Sequence, residues 1–212
     1  MKKVLFTLSI LGLFSCNKAK ESAQDALTRS MEKAIENKTG TQVDLPDASN
    51  LEKNLGYVVF KTETETYLTG KEKMQATVTI NKDNQGLSFA LQFTGENGKS
   101  FLAMISKIPE DFSLPLKAKF SVSNAHDGIN PVATIIFMNI TENGVLPNKI
   151  PFEGDLVITE LSKEKVTFKI NAKGGDASNT ESPSNWKPIS GDGKLSHPII
   201  ISNGIDKNKI LK

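Results

Sequence analysis

The sequence predicts a mainly β protein, an antiparallel β-sandwich or barrel preceded by one N-terminal amphipathic helix. Three observations lead to this prediction. From Gly56 onward, apolar and polar residues alternate with a period of two, which is the period of a half-buried strand. The alternating runs are short, and turn residues separate them at regular intervals. No helical period interrupts them, so neighbouring strands are expected to pair as antiparallel hairpins.

An apolar leader opens the chain. Lys2 and Lys3 precede an apolar stretch that ends where a polar run begins at Asn17. The stretch, about ten residues long, is too short to cross the ~30 Å hydrocarbon core of a bilayer as a helix. A buried core helix is the alternative, but the stretch has no polar face and stops at the polar run. The leader is therefore predicted to be an export signal.

The leader ends at Cys16, the single cysteine of the chain. The segment Leu13-Phe14-Ser15-Cys16 resembles the lipobox of bacterial lipoproteins, although Phe14 fills a slot that is more often small. The resemblance implies cleavage after Ser15, a diacylglycerol on the thiol of Cys16 and acylation, as with palmitate, of the new amino terminus. Residues 1–15 are then a lipoprotein signal peptide. An ordinary secreted protein is the alternative, but its cleavage site would put Leu13 where a small residue belongs.

Lipidation also explains why the chain has one cysteine, which cannot form an internal disulfide. Two or three acyl chains hold a protein durably on a membrane, whereas one chain binds marginally. Asn17 stands where enteric lipoproteins of the inner membrane carry Asp, and no dense acidic run follows, as it does in surface-exported lipoproteins of the Bacteroidota. By this resemblance we expect a lipid-anchored protein of the cell envelope, on the periplasmic face of the outer membrane.

Charge excludes several classes of partner. Loss of Lys2 and Lys3 with the leader lowers the formal net charge from +2 to 0. No net field then steers the protein to nucleic acid or anionic lipid. Arg29 is the only arginine, so planar recognition of phosphate or carboxylate groups is disfavoured. We therefore expect no nucleic-acid partner.

Residues 16–54 are predicted to be a lipid-anchored tether with a helix over about 20–38. Apolar residues recur there at helical spacing, and Thr39-Gly40 supplies the stop. We interpret this helix as packed on the domain or as a spacer from the membrane, with a membrane-surface helix or a short coiled coil as alternatives. The connection that follows, residues 41–54, contains Pro46. The apolar face consists of Ala23, Ala26, Leu27, Met31, Ala34 and Ile35.

The antiparallel β domain is predicted over residues 55–212. Its strands cover 56–61, a hairpin joining 75–80 to 87–94, then 100–105 and 116–122. Residues 62–66 alternate Thr and Glu, which favours an exposed strand end over a metal or acid–base pair. Residues 132–140 are apolar at nearly every position, which predicts a central strand buried on both faces.

The last third of the chain predicts a second hairpin, which joins 156–158 to 166–170. Residues 152–159 are similar to segments of uncharacterised Bacteroidota lipoproteins, which implies lineage at most. Residues 174–190 form a polar loop, and Gly191-Asp192-Gly193-Lys194 is a turn by composition. A short strand over 198–202 completes the domain.

Catalytic motifs are missing from the sequence. The two histidines, His126 and His197, lie in predicted turns without metal-ligand spacing. There is no nucleophile elbow and no Gly-rich phosphate loop. Residues 83–86 lack the spaced acidic ligands of a calcium loop. We therefore expect a non-enzymatic protein with no catalytic residue, metal site or cofactor.

Trp186, the only tryptophan, lies between Pro183 and Pro188 in the polar loop. It is the predicted binding residue, because an exposed indole can stack on a sugar or a peptide. The alternative is that it plugs one end of the fold, since tryptophan is usually well buried. The chain is thus predicted to be a membrane-anchored binding or structural module, held by acyl chains on Cys16, with a protein, glycan or lipid partner. A lipocalin-like carrier of an apolar ligand in the periplasm is the alternative, and an interior cavity would favour it.

Overall fold

The computed structural model describes residues 18–47, 50, 53–95, 99–121, 131–138 and 149–211. Cys16, the leader and His126 lie outside the described residues, and so does the side chain of Ala23. Most of the described residues lie in strands, which confirms the prediction of a mainly β protein.

The described residues contain two α-helices and twelve strands. The helices are α1 (Lys18–Thr39) and α2 (Lys207–Ile210). The strands are β1 (Gln42–Asp44), β2 (Leu55–Thr62), β3 (Thr66–Thr69), β4 (Met74–Asp83), β5 (Gly86–Gly95), β6 (Ser100–Ile108), β7 (Leu116–Ser121), β8 (Val132–Met138), β9 (Lys149–Leu161), β10 (Lys165–Asp176), β11 (Lys187–Ser196) and β12 (Ile199–Asn203).

All twelve strands belong to one sheet, with the hydrogen-bonded order β1-β12-β4-β5-β6-β8-β7-β9-β10-β11-β2-β3. The two predicted hairpins are present as β4–β5 and β9–β10, both antiparallel. Two pairings are parallel, β12 with β4 and β7 with β8. The sequence did not predict them, because β12 enters the sheet beside β4 and not beside its chain neighbour β11, whose two edges are taken by β10 and β2.

A second contact joins two strands that are far apart in this order. β2 pairs with β4 at Gly56 and Met74. The side chain of Asn54 extends this pairing: its Oδ1 accepts the N–H of Ala76 at 2.7 Å, and its Nδ2 donates to the Ala76 carbonyl at 3.1 Å. The amide of Asn54 thus takes the place of a backbone peptide in the ladder. Further along each strand, β3 continues beside β2 and β12 beside β4.

The inward side chains form one apolar core, which includes both predicted faces, 87–93 and 166–170. Phe101 lies at its centre. The centroid of its ring lies 5.4 Å from that of Phe137, 5.8 Å from Phe93, and 6.1 Å from both Phe60 and Phe168. These five rings come from five strands, so the aromatic cluster joins distant parts of the sheet across its interior.

The glycine-rich segment 191–194 lies inside β11, so its prediction as a turn was wrong. Gly193 pairs with Phe168, and a β-carbon on Gly193 would lie 2.2 Å from the Phe168 ring. A β-carbon on Gly191 would lie 2.7 Å from the carbonyl oxygen of Val59. Glycine is therefore needed because neighbouring strands approach closely, and it does not mark a turn here. The loop predicted over 174–190 shortens accordingly to 177–186.

β8 is buried on one face only, so its prediction as a strand buried on both faces was wrong. Ala133, Ile135 and Phe137 point into the core. Thr134 and Ile136 point outward, and Ile136 is 41% exposed. No described part of the chain covers this outer face, whereas a central strand of a parallel sheet would have helices over it.

α1 begins and ends close to the predicted helix limits and packs against β1. The N–H of Leu45 donates to Oε1 of Glu32 at 2.7 Å. Of the predicted apolar face, Met31 and Ile35 are half-buried, but Leu27 is 61% exposed. β1 lies inside the predicted connection 41–54 and is three residues long. Because β1 is so short, only part of the apolar face of α1 packs against the domain.

Candidate functional site

The loop between β10 and β11 is an ordered connection built from two short 3-10 helices, Ala177–Asn179 and Pro183–Asn185. Pro183 begins the second helix, a position that tolerates its fixed φ angle and its missing N–H. The N–H of Trp186 ends it by donating to the Pro183 carbonyl at 3.2 Å. Local hydrogen bonds therefore set the direction in which the Trp186 side chain leaves the loop.

Trp186 packs back onto the end of β9. Its indole N–H donates to the carbonyl of Asn179 at 2.9 Å. Its ring lies 5.4 Å from the ring of Phe152 at an interplanar angle of 56°. Phe152 is buried, whereas Trp186 is half-buried. One part of the indole thus anchors the loop, and the remaining part stays open to solvent.

An ion pair and a tyrosine lie at the same end of the fold. Nζ of Lys149 lies 2.7 Å from Oδ2 of Asp176, and both side chains are about one-third exposed. Burial raises the pKa of the Tyr67 phenol well above its usual value, and so do a hydrogen bond to Glu65 and the negative charges of Glu65 and Asp176. Tyr67 therefore keeps its proton at physiological pH and acts as a hydrogen-bond donor.

The segment 62–66, predicted as an exposed strand end, contains the tight turn from β2 to β3. The N–H of Thr62 donates to the Glu65 carbonyl at 2.8 Å, and the N–H of Glu65 donates to Oγ1 of Thr62 at 3.1 Å. Glu63 and Glu65 are exposed. This turn, together with Pro188 and Ser190, lines an open trough of about 410 Å³. Hydroxyls and carboxylates line it on one side, beside the strand that follows Trp186.

These groups offer stacking and hydrogen bonding. The half-buried indole and the Thr/Glu turn can contact a polar ligand that also has a flat apolar face. Among the described residues, no group of three or more His, Cys, Asp or Glu side chains could hold a metal ion. Of the two predicted site residues, Trp186 falls in this region, and Cys16 lies outside the described residues.

The other end of the fold holds the tether. Oδ2 of Asp44 in β1 lies 3.0 Å from Nζ of Lys207 in α2 and 3.4 Å from Nζ of Lys163 in the β9–β10 turn. Lys207 also donates from Nζ to the Val43 carbonyl at 3.1 Å and from its backbone N–H to Oε1 of Gln42 at 3.2 Å. These contacts join β1 to α2 and to the β9–β10 turn.

A cleft of about 240 Å³ lies beside these contacts, and His197 lines it. His197 is half-buried in the β11–β12 turn at a φ of 43°, and its N–H donates to the Glu164 carbonyl at 2.7 Å. This hydrogen bond of the His197 backbone holds the turn closed and stabilises the left-handed conformation of the residue.

Sequence reasoning missed the group formed by Tyr67, Lys149 and Asp176. The three residues are far apart along the chain, and the pairing of β9 with β10 sets Lys149 opposite Asp176. No local pattern marks such a group. Register shifts in the β9–β10 ladder set Lys149 opposite Asp176, so counting residues from the predicted hairpin turn does not find the pair.

No protein-family model matches this chain. Neither a curated protein nor a solved structure matches it. None of the helices among the described residues is long and apolar enough to cross a lipid bilayer.

Replacement of Trp186 by alanine should lower the free energy of unfolding by about 1–3 kcal/mol, below the ~3–5 kcal/mol of a fully buried large aromatic residue. The loss follows from uncovering Phe152 and freeing the Asn179 carbonyl. Urea titration followed by circular dichroism measures it. Trp186→Phe is the control, because it keeps a ring and loses only the N–H donor, at a cost of about 0.5–1.5 kcal/mol. An alanine variant as stable as the wild type would contradict the anchoring role.

Proposed function

We propose that this protein is a lipid-anchored protein of the cell envelope that acts as a non-enzymatic binding or structural module. The observation that carries the proposal is the filled interior, where aromatic rings from five strands lie with centroids 4.8–6.1 Å apart. Resemblance of residues 13–16 to a lipobox supports the anchor at Cys16.

The sheet is proposed to close as a barrel. Following the pairings from β4 through β5, β6, β8, β7, β9, β10, β11 and β2 returns to β4 at Gly56 and Met74. The amide of Asn54 strengthens this seam by its two hydrogen bonds to Ala76. In a barrel of about eight strands the interior is just wide enough for side chains to fill it, which agrees with the aromatic cluster.

The filled core favours a module over a carrier. Phe60, Phe93 and Phe101 are 0% exposed and contact partners from several strands. Ligand pockets usually enclose about 300–1,000 Å³. Several of these side chains would have to leave the core to open a cavity of that volume. A lipocalin-like carrier remains the second candidate, because ring closure is the architecture that such carriers use.

The tether and the Trp186 loop lie at opposite ends of the β9–β10 hairpin. Asp44 of the tether contacts Lys163 in the hairpin turn, whereas Trp186 contacts Phe152 near the first residue of β9. β10 has 12 residues, which at about 3.3 Å per residue gives roughly 40 Å. The Trp186 loop and the 62–66 turn are therefore far from the point where the tether joins the sheet, and we propose that they are free to meet a partner.

Protein purified from its native membrane should have the mass of residues 16–212 plus acyl chains. Cys16→Ala should lose the lipid and leave the membrane, because the thiol that carries the diacylglycerol is gone. Intact mass spectrometry and membrane fractionation measure both effects. Cys16→Ser is a useful companion, since it keeps the size of the side chain and should behave as the alanine variant does. An unacylated chain that begins elsewhere would disprove the anchor.

Native mass spectrometry of the same sample separates the module from the carrier. A module should show no non-covalent lipid, and a lipid retained through purification would favour the carrier.

Protease added to whole cells should leave the protein intact if it lies on the periplasmic face of the outer membrane. Ready cleavage in intact cells would place it on the surface, and neither result depends on what fills the core.

A further inference from the structure

The indole of Trp186 is a partly exposed aromatic surface that is fixed in place. Its N–H donates to the Asn179 carbonyl at 2.9 Å, and its ring packs on that of Phe152. The part of the ring that stays in solvent therefore offers an apolar face and no N–H donor. A ligand that contacts it must itself present a flat apolar face. Because the indole is already ordered, little side-chain entropy is lost when such a ligand binds.

The open trough at the same end of the fold has a polar lining. The residues that line it carry four hydroxyl groups, two carboxylates and one ammonium group, and Pro188 adds an apolar ring. Its volume of about 410 Å³ lies within the range of about 300–1,000 Å³ that is usual for ligand pockets. Glu63 and Thr64 of the 62–66 turn are exposed, so a ligand can reach them. The trough thus offers mainly hydrogen-bond acceptors.

Extended backbone joins the indole to the trough. Trp186 has a φ of −71° and a ψ of 133°, and Pro188, two residues later, lines the trough. Two residues of extended chain span about 7 Å. One ligand with a few rings can therefore reach the indole and the trough together. Such a ligand needs an apolar ring face at one point and hydrogen-bond donors at others.

We propose that this end of the fold binds an uncharged oligosaccharide, with one sugar ring on the indole of Trp186 and the next rings in the trough. A pyranose ring has an apolar C–H face, and its hydroxyl groups donate to carboxylate and hydroxyl oxygens. These are the two properties that the indole and the trough require of one ligand. The inference rests on the proposed binding module and names the class of its ligand.

Anionic ligands and extended peptides fit this end less well. An anionic ligand would meet the carboxylates of Glu63 and Glu65, and Lys61 is the single cation among the residues that line the trough. A peptide that adds a strand to the edge of β3 needs unpaired N–H groups there. The N–H of Thr69 in β3 already donates to Oε1 of Glu72 at 3.1 Å. An uncharged sugar needs neither a cationic site nor an open edge.

Trp186 is the only tryptophan of the chain, so tryptophan fluorescence reports on the proposed site alone. The full chain, in a detergent without a sugar headgroup, is titrated with cellohexaose, chitohexaose and maltohexaose. Polygalacturonate, a polyanion, is the charged comparison. At least one uncharged hexasaccharide should shift the emission to shorter wavelength and saturate, because a stacked sugar removes water from the indole. Polygalacturonate should bind more weakly than that sugar.

Three variants, followed by isothermal titration calorimetry, locate the bound sugar. Glu63→Ala should weaken binding about tenfold, because it removes a hydrogen bond to a charged group. Trp186→Phe keeps a smaller ring and should weaken binding about two- to tenfold, the range of aromatic contacts. Glu164→Ala is the matched control for Glu63→Ala and should leave the affinity unchanged. Glu164 is also an exposed glutamate in a turn, but it lies at the other end of the fold beside Lys163.

The proposal is overturned if none of the three uncharged sugars binds, or if polygalacturonate binds more tightly than they do. Equal affinities of Glu63→Ala and the wild type would overturn it as well, because the sugar would then lie outside the trough. Thr64→Ala, also at an exposed position, replaces Glu63→Ala if the latter loses its circular dichroism spectrum. The titration does not depend on acylation of Cys16. A lipidated chain that binds no sugar would therefore keep the proposed anchor and lose only the proposed ligand.

Discussion

Phe101→Ala should lower the free energy of unfolding by about 3–5 kcal/mol, the range measured when a fully buried phenylalanine is truncated. Phe101 is 0% exposed and its ring contacts those of Phe60, Phe93, Phe137 and Phe168. Removal of the ring leaves a cavity that five separate strands cannot close without breaking their own register. The free energy of unfolding, from urea titration followed by circular dichroism, measures the effect.

Phe112→Ala provides the control for this truncation. Phe112 is half-buried at the edge of the core, where its ring lies 5.5 Å from that of Phe89. The same substitution there should cost about 1–2 kcal/mol, because part of the ring is already in water and the site can relax. Equal losses at the two positions would show that Phe101 does not hold the centre of the core.

Gly193→Ala should destabilise the protein by about 3 kcal/mol or more, at the upper end of overpacking substitutions. Its β-carbon would lie 2.2 Å from the ring of Phe168, which itself is stacked 6.1 Å from Phe101 at an interplanar angle of 3°. Phe168 must therefore move, and it can move only by displacing the aromatic cluster. Thermal and urea unfolding of the variant measure the loss.

Gly95→Ala is the matched control, since Gly95 also lies in a strand and its β-carbon would meet its nearest neighbours at 3.5 Å. That substitution should leave stability unchanged or raise it slightly, by restricting the unfolded chain. In the double variant Gly193→Ala with Phe168→Leu, the smaller side chain should recover part of the loss. Independent, additive losses in the double variant would argue against a clash between the two residues.

The hairpins could be predicted from the sequence because local patterns specify them. Alternation over 75–80 and 87–94 sets one face toward the core, and the turn residues between them fix which residues pair. The β4–β5 register, from Met74 opposite Gly95 to Asp83 opposite Gly86, follows from these two signals. The same holds for β9 and β10.

β11 and the outer face of β8 could not be predicted in the same way. Gly191 and Gly193 favour a turn by composition, and only the arrival of Phe168 from the neighbouring strand makes them strand residues. The apolar outer residue Ile136 predicted burial, because the sequence does not say whether another surface covers it. Both failures concern contacts between residues that are distant in sequence.

Only one residue of the candidate site was predicted from the sequence. Trp186 was identified because tryptophan is rare and loops at the end of a sheet carry function. Tyr67, Lys149 and Asp176 were not, since their proximity depends on how several strands pair.

The pairing of β2 with β11 determines when folding can finish. β2, near the start of the domain, needs β11 along one edge, and this pairing sets Gly56 opposite Leu195. Such long-range contacts form late and slow the folding of β proteins. A chain that crosses a membrane with its amino terminus first would expose the edge of β2 until nearly all of it had emerged. During that interval the unpaired strand is a template for aggregation. In the proposed export of this protein, chaperoning would therefore be needed most by the part of the chain that emerges first.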